Sequence, residues 1–270
     1  MEYTPLSASH PDALKDFKTI EAILRGKTPA LFLDYDGTLV PLARRPELAT
    51  ASDELRAAIA RLAVLMPVAV VSGRGRADVM QILGVSGIAY AGSHGFDITD
   101  ANGRDLSGDI GAPYVPALRK AAASLTARLA PVAGAFVEDK KYALAIHFRE
   151  VTPRDQARVA DIVASEVNRH PTLRRTGGKM IHELRPAIEW NKGTAVVHIM
   201  KALGLATANT LPVYIGDDET DEDAFRAVHD TGIGIKVGTD NTPTAARYSL
   251  ETPKDVNTFV GQLADLYEPR

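Results

Sequence analysis

The amino-acid sequence predicts an α/β protein with a doubly wound, mostly parallel, Rossmann-like core sheet and an inserted α+β domain. Short apolar runs alternate with helical segments before residue 104 and after residue 186. This alternation is typical of a parallel sheet with helices on both faces. Between these segments the pattern indicates helix, hairpin, helix, hairpin, which favours a separate unit. We therefore expect a core of residues 1–104 and 186–270 and a cap of residues 105–185.

The first core segment begins with a helix, predicted over 13–25 because Leu14, Phe17 and Ile20 recur at helical spacing. Ser52 is a suitable N-cap for the second helix. The other elements predicted here are strands at 30–33, 67–71 and 88–92, and a helix at 76–83 that ends at Gly84.

The insert alternates helices with hairpins. Its second hairpin is predicted at Gly177-Gly178, because paired glycines are a strong turn signal. The insert is predicted to hold helices at 113–129 and 153–168 and strands at 135–138, 142–149, 172–176 and 179–184. The last core segment is predicted to hold helices at 193–203, 219–228 and 256–266 and strands at 211–215 and 232–237.

Composition excludes several classes of protein. The 270 residues are 45% hydrophobic and 24% charged, which is typical of a globular chain, and the net charge of −3 provides no basic surface for nucleic acid or membrane. No apolar run approaches the roughly 20 residues of a membrane helix, and the N-terminus lacks a signal-peptide pattern. The absence of cysteine excludes disulfides and thiolate chemistry. We expect a cytoplasmic protein.

Two carboxylates interrupt the apolar stretch LFLDYDGTLV at residues 31–40. Asp34 ends a predicted strand, where open α/β sheets bind ligands, so it could ligate a metal or act as a nucleophile. Asp36 can point into the same cleft, because Gly37 permits a sharp exit from the strand. The alternative is a pair of solvated turn carboxylates, since D-x-D-G also occurs in ordinary turns.

Two further motifs follow predicted strands or open helices. In VVSGR (70–74), the Ser72 hydroxyl and the Gly73 amide could bind an anion, although Ser72 could equally be a helix N-cap. In EWNKG (189–193), Lys192 opens a helix. Most lysines are solvated, so Lys192 is a functional candidate only if the fold brings it to the cleft.

The fourth motif is the acidic stretch YIGDDETDED at residues 214–223. Asp217 and Asp218 follow a predicted strand, and Asp221 lies at the start of the next helix. Carboxylate oxygens are the preferred ligands of Mg²⁺. An acidic helix N-terminus is the alternative, but adjacent aspartates at a strand end are costly without a cation.

In this order, the four motifs closely resemble the pattern of the haloacid-dehalogenase-like phosphatases, over about two-thirds of the chain. The resemblance implies that Asp34 attacks phosphorus and forms an aspartyl-phosphate. Asp36 would protonate the leaving sugar oxygen and then deprotonate the attacking water. Ser72 and Lys192 would hold the phosphoryl oxygens.

The same resemblance implies Mg²⁺ as cofactor. Asp34, the main-chain carbonyl of Asp36 and Asp217 would be its ligands. Asp218 and Asp221 would support the metal directly or through water.

Within that superfamily, the cap and several strings are similar to the trehalose-6-phosphate phosphatase family. The strings are LDYDGTL (33–39), VVSGR (70–74), SHG (93–95), VEDK (137–140), GKMIHELRP (178–186), W-NKG (190–193) and GDDETDED (216–223). One departure is Gly92-Ser93 before His94, where an acidic residue is common. The substrate-binding residues expected are Gly73, Arg74, His94, Glu138, Lys140, Lys179, Glu183, Arg185 and Asn191.

The function expected is therefore hydrolysis of trehalose 6-phosphate to trehalose and phosphate, in trehalose biosynthesis. The alternatives are a phosphatase for sucrose phosphate or mannosyl-3-phosphoglycerate, a phosphosugar mutase, and a sugar-sensing subunit without activity. The last would be expected to lack Asp34 or Asp36, and both are present. We expect a monomer, linked in function to a trehalose-phosphate synthase, that binds no nucleic acid or membrane.

Overall fold

The computed structural model describes residues 10–43, 48–178, 180–240 and 242–268. The chain divides into two compact units, unit 1 (Met1–Leu106 and Trp190–Arg270) and unit 2 (Ser107–Glu189). The sequence placed the divisions near residues 104 and 186. Among the helices in the described ranges, none combines the length and apolar character needed to cross a membrane.

The helices and strands follow one another in the predicted order, with two additional short strands. The first segment of unit 1 contains α1 (Phe17–Leu24), β1 (Thr28–Leu33), α2 (Asp53–Leu65), β2 (Val68–Val71), α3 (Arg76–Leu83), β3 (Ala89–Gly92) and β4 (Asp97–Thr99). Unit 2 contains α4 (Val115–Leu129), β5 (Phe136–Asp139), β6 (Leu144–His147), α5 (Pro153–Arg169), β7 (Leu173–Gly178) and β8 (Ile181–Pro186). The last segment of unit 1 contains α6 (Lys192–Ala202), β9 (Thr210–Gly216), α7 (Glu222–Val228), β10 (Ile233–Val237), β11 (Tyr248–Leu250) and α8 (Pro253–Tyr267).

Unit 1 is built on a seven-stranded sheet in the order β11-β10-β9-β1-β2-β3-β4. Every pairing is parallel except that of β3 with β4. Leu33 at the end of β1 pairs with Val70 of β2 and with Ile215 of β9. The carboxyl ends of these strands therefore meet at one edge of the sheet.

Helices cover both faces of this sheet. Leu31 and Leu33 of β1 face a core formed with α1, α2, α3 and α8, whereas Ala30 and Phe32 face a second core formed with α6 and α7. The period-two alternation of β1 thus supplies both cores, because successive side chains of a strand point to opposite faces. The predicted doubly wound α/β class is confirmed.

Unit 2 is a four-stranded antiparallel sheet, in the order β5-β6-β8-β7, with α4 and α5 packed on one face. The predicted turn at Gly177-Gly178 is wrong. Both glycines lie within β7, Gly178 pairs with Ile181, and the left-handed φ of 63° falls on Met180. Glycine can complete a strand as well as a turn, so the glycine pair alone did not locate the reversal.

Two other predictions need correction. The first helix begins at Phe17 rather than at residue 13, because the Asp12 carboxylate accepts the Leu14 amide at 2.9 Å and the intervening residues form turns. The helix predicted over 219–228 begins with a 3₁₀ turn, Glu219–Asp221. The short strands β4 and β11, of three residues each, were not predicted.

Candidate active site

The side chains singled out in the four motifs lie at the carboxyl edge of the unit 1 sheet. Asp34 follows β1 and Asp217 follows β9, while Ser72 follows β2, the other neighbour of β1. Lys192 is the first residue of α6, and its Nζ lies 2.9 Å from Oδ1 of Asp34 and 2.8 Å from Oδ1 of Asp221. Lys192 is buried, so it is not the solvated lysine of the alternative interpretation.

Asp221 shapes the loop after β9. It is fully buried, and its Oδ1 accepts hydrogen bonds from Lys192 and from the Tyr214 hydroxyl at 2.5 Å. Its Oδ2 accepts the main-chain amides of Asp217 and Asp218 at 3.1 and 3.0 Å. Four donors thus converge on one carboxylate and fix the loop that carries Asp217.

Asp217 lies against the turn after β1. Its Oδ1 accepts a hydrogen bond from the Thr38 hydroxyl at 3.2 Å. Gly37 has a φ of 85°, and a Cβ on it would lie 2.1 Å from Oδ2 of Asp217. Both the backbone conformation and the close approach require glycine here.

The carboxylates outnumber the cationic groups at this edge. Burial raises the pKa of Asp34 well above its usual range, and nearby carboxylates add to this although Lys192 opposes it. Burial and the charges of Asp221 and Asp218 raise the pKa of Asp217 to about 7. Burial alone would lower the pKa of Lys192, but Asp221 and Asp34 raise it above its usual range. The site holds an excess of negative charge.

A hard divalent cation fits this arrangement. One carboxylate oxygen from each of Asp34, Asp217 and Asp221 lies within 4.8 Å of the others. Because both oxygens of Asp221 already accept hydrogen bonds, Asp34 and Asp217 are better placed to be direct ligands. Oxygen ligands of this kind suit Mg²⁺, and its charge would offset the carboxylate repulsion.

Asp36 has a partner that the sequence did not indicate. Its two carboxylate oxygens accept hydrogen bonds from Nε and Nη2 of Arg74 at 2.6 and 2.7 Å. Nη1 of Arg74 donates to Asp78 on α3 at 3.0 Å. The predicted substrate-binding residue Arg74 therefore holds Asp36 in a two-bond ion pair.

The loop of Ser72 is braced by the SHG segment. The Ser72 hydroxyl accepts the Arg74 amide at 3.1 Å, which is a local turn contact. The amides of Ser93 and His94 donate to the carbonyls of Arg74 and Ser72 at 2.7 and 2.9 Å. Ser93 and His94 have φ values of 50° and 56°, and the ring of His94 lies against Gly73. His94, which was predicted to bind substrate, is buried and packs against this loop.

Asn191 caps the helix that presents Lys192. Its side-chain oxygen accepts the Thr194 amide at 2.9 Å, while its own amide donates to the Thr194 hydroxyl at 2.8 Å. This capping box fixes the start of α6. The structure thus gives Asn191, predicted to bind substrate, a positioning contact.

The predicted cap residues form a polar cluster in unit 2. Glu183 accepts a hydrogen bond from Lys140 at 3.1 Å and one from Nε of Arg185 at 2.7 Å. Oε2 of Glu138 lies 2.8 Å from Nε2 of His147. The hydrogen bond from His147 lowers the pKa of Glu138. Lys179, also predicted to bind substrate, lies outside the described residues.

Tyr214 and His147 are among the residues of these networks that the sequence interpretation missed. Tyr214 lies two residues before Gly216, and its side chain points to the face of β9 opposite to that of Ile215. Because side chains alternate along a strand, the sequence could have indicated that Tyr214 lies on the same face as Gly216. His147 ends β6 opposite Phe136 of β5. No local motif marks His147, because its contact with Glu138 depends on the register of two strands.

The chain matches a protein-family model and is similar to named proteins. The family model described as trehalose-phosphatase matches residues 32–254. The chain is similar to trehalose 6-phosphate phosphatase RA3 of Zea mays, with 39% identity that covers 95% of this chain and 75% of that protein. It is 37% identical to the probable trehalose-phosphate phosphatase D of Arabidopsis thaliana, over 98% of this chain and 74% of that protein.

Solved structures agree with the fold. The crystal structure of a trehalose-6-phosphate phosphatase related protein superimposes with a TM-score of 0.76 at 25% identity. The match covers 88% of this chain and 97% of that chain.

Proposed function

Because the chain belongs to the trehalose-phosphatase family and is a phosphatase, we propose that it hydrolyses trehalose 6-phosphate to trehalose and inorganic phosphate. The observation that carries the proposal is the contact of Lys192 with Asp34 at the carboxyl edge of the sheet, at 2.9 Å. It joins two motifs that lie far apart in the sequence. It also puts a carboxylate that can attack phosphorus beside a buried cation that can compensate the charge of the phosphoryl oxygens.

In the proposed reaction, an oxygen of Asp34 attacks phosphorus and the bond from phosphorus to the sugar oxygen breaks. Asp36 gives its proton to the leaving oxygen. Water then attacks phosphorus, passes a proton to Asp36 and releases Asp34 together with phosphate. Since both oxygens of Asp36 accept hydrogen bonds from Arg74 in the structure, Asp36 must turn from Arg74 and carry a proton before it can protonate the leaving oxygen.

We propose that Asp34, the main-chain carbonyl of Asp36 and Asp217 hold Mg²⁺, with Asp218 and Asp221 in support. The cation would supply charge compensation for the phosphoryl oxygens. Lys192, with Ser72 and the Gly73 amide, binds the same oxygens. Lys192 is already orientated for this by its contact with Asp221.

For the sugar, we propose the unit 2 cluster as the recognition surface. Glu138, Lys140, Glu183 and Arg185 offer both donors and acceptors to hydroxyl groups. A site built of such bonds rejects ligands that lack them.

The test measures phosphate release from trehalose 6-phosphate, sucrose 6-phosphate, mannosyl-3-phosphoglycerate and glucose 6-phosphate. Trehalose 6-phosphate is expected to give the highest kcat/KM, with activity lost in EDTA and restored by Mg²⁺. A higher value for another sugar phosphate would overturn the substrate, and full activity in EDTA would overturn the metal.

The covalent step has its own test. Asp34→Asn is expected to abolish turnover while the circular dichroism spectrum stays that of the folded protein. Retained turnover in this variant would overturn the aspartyl-phosphate.

We further propose a cytoplasmic monomer whose substrate comes from a trehalose-phosphate synthase. Size-exclusion chromatography with light scattering tests the monomer. A dimer mass at micromolar concentration would contradict it.

A further inference from the structure

An exposed aromatic residue lies beside the polar cluster of unit 2. Phe136 is 56% exposed, although it begins a strand of a folded sheet. One face of its ring is covered by the ring of His147, with centroids 4.3 Å apart and planes 8° from parallel. A single exposed aromatic ring is common in folded proteins, and what distinguishes this one is its position beside the polar cluster.

Phe136 shares a sheet face with the residues of the polar cluster. Phe136 and Glu138 are two residues apart on β5, so both side chains point to the same face. Across the sheet, Glu138 is opposite Ala145, which is opposite Glu183, and Phe136 is opposite His147. The cluster and the aromatic pair are therefore adjacent rows of one surface.

His147 connects the two rows. Its ring supports Phe136 from one side, while its Nε2 lies 2.8 Å from the Glu138 carboxylate. A single side chain thus fixes the orientation of both an aromatic ring and an acidic group. The contact depends on the register in which β5 pairs with β6, and a shift of one residue in this register would remove it.

The combination suits a pyranose ring. Such a ring carries hydroxyls at its rim, which carboxylate and cationic groups can bond, and a face of C–H groups, which is apolar. The negative face of an aromatic ring attracts that C–H face. A surface with both features binds a sugar better than a plain anion or an apolar ligand.

We propose that Phe136 is a specificity-determining residue that stacks on one glucose ring of the substrate, and that His147 is the positioning residue for Phe136 and Glu138. This inference rests on the proposed function, because it assigns the sugar-reading surface of the same reaction. The polar cluster would bond the rim hydroxyls next to the stacked ring.

Binding can be measured without turnover. The chain has one tryptophan, Trp190, so Phe136→Trp in a Trp190→Phe background places a single fluorophore on the proposed surface. Titration with trehalose is expected to shift its emission to shorter wavelength, whereas maltose gives a weaker shift. Emission that is unchanged by trehalose up to saturating concentration would overturn the stacking.

Kinetics provide the second measurement. Phe136→Ala is expected to raise KM for trehalose 6-phosphate roughly three- to tenfold and to leave kcat little changed. Phe136→Tyr, which keeps an aromatic ring, is expected to have a KM near that of the wild type. Val64→Ala, at a site 87% exposed in unit 1, is the matched control and should leave KM unaltered.

The outcomes separate the two proposals. Wild-type protein that does not hydrolyse trehalose 6-phosphate would contradict the proposed function, whatever the variants do. Wild-type turnover with an unchanged KM in Phe136→Ala, or an equal loss of kcat in Phe136→Ala and Phe136→Tyr, would overturn this inference alone.

Discussion

Asp221 accepts more hydrogen bonds than its position in an acidic stretch suggests. It lies at 0% exposure among Lys192, Tyr214 and two main-chain amides. Burying a carboxylate is costly unless its charge is paired and its lone pairs are satisfied. Here both conditions hold, so Asp221 can stay buried as a carboxylate while it orients the ammonium of Lys192.

Removal of the Tyr214 hydroxyl tests this role. Burial and the charge of Asp221 raise the pKa of Tyr214, so its hydroxyl stays a donor at neutral pH. Tyr214→Phe is expected to lower the free energy of unfolding by about 1.5–3 kcal/mol and kcat roughly ten- to hundredfold. Urea unfolding and phosphate release measure the two effects.

The matched control is Tyr90→Phe. Tyr90 is also a buried tyrosine, and its hydroxyl donates to the Val85 carbonyl at 2.6 Å. The Tyr90→Phe variant should lose about 1 kcal/mol in the free energy of unfolding and keep the wild-type kcat. Equal effects of both substitutions on kcat would contradict the positioning role of Tyr214.

A comparison of Gly37→Ala with Gly103→Ala separates the effect of close approach to a neighbouring side chain from the effect of a left-handed backbone conformation. In Gly37→Ala, the added Cβ would collide with Asp217, so activity is expected to fall more than roughly hundredfold. Gly103 has a comparable φ of 80° and nothing within 4 Å of its Cβ position. Gly103→Ala should therefore cost only about 1–2 kcal/mol in unfolding free energy and leave activity intact, which thermal unfolding and a phosphate assay can check.

The residues at the sheet edge could be predicted, but their partners could not. Asp34 and Asp217 follow from motif order, because parallel strands bring their carboxyl ends together. Lys192 opens α6, so its role was indicated only by the family resemblance. The pairing of Asp36 with Arg74 could not be predicted, since it depends on the rotamers of two side chains from different loops. The sequence indicated no cationic partner for Asp36, and the structure places a guanidinium beside it.

At the scale of elements, a single carboxylate connects the two helices of unit 2. Glu166 on α5 is 1% exposed, and it accepts hydrogen bonds from Ser124 and Arg128 of α4 at 2.7 and 2.9 Å. Nε2 of His170 lies 3.2 Å from its other oxygen. The carboxylate thus fixes how α4 lies beside α5.

The hydrogen bonds of Glu166 predict that the free energy of unfolding depends on pH. Burial alone would raise the pKa of Glu166, but the hydrogen bonds from Ser124, Arg128 and His170 outweigh burial and lower it below 4.5. The ionised form therefore stabilises the fold above pH 4.5, and this contribution is lost as the pH falls through the lowered pKa.

Glu166→Gln should accordingly lower the free energy of unfolding by about 1.5–3 kcal/mol at pH 7. The difference between the variant and the wild type should become smaller below pH 4.5. Unfolding by urea across this pH range measures it. Glu150→Gln, at an exposed residue of the same unit, is the control. A difference that is constant with pH would contradict the ionic role of Glu166.

Element boundaries were predicted best where end signals are local. The helix α3 begins and ends where expected, because Gly84 takes the left-handed C-cap conformation with a φ of 65°. The strands β4 and β11 were missed, since three residues carry too little periodicity to indicate a strand. The second hairpin of unit 2 was found, but its turn was misplaced.

At the scale of the molecule, unit 2 has a core of its own. Leu118 and Leu125 of α4, Val159 and Val163 of α5 and Leu144 of β6 belong to one buried cluster. A unit with a separate core is expected to fold alone. The excised fragment 107–189 should show a cooperative thermal transition and dispersed amide resonances. A fragment that melts without a transition would contradict this autonomy.

The strand order of unit 1 has a consequence for synthesis on the ribosome. β1, which carries Asp34, is central in the finished sheet, but its neighbour β9 is made only after all of unit 2. Until residue 216 has emerged, β1 is an edge with unpaired main-chain groups, and such edges invite association. Because synthesis proceeds at about 5–20 residues per second, all of unit 2 can be made before the second half of the unit 1 sheet has been synthesised.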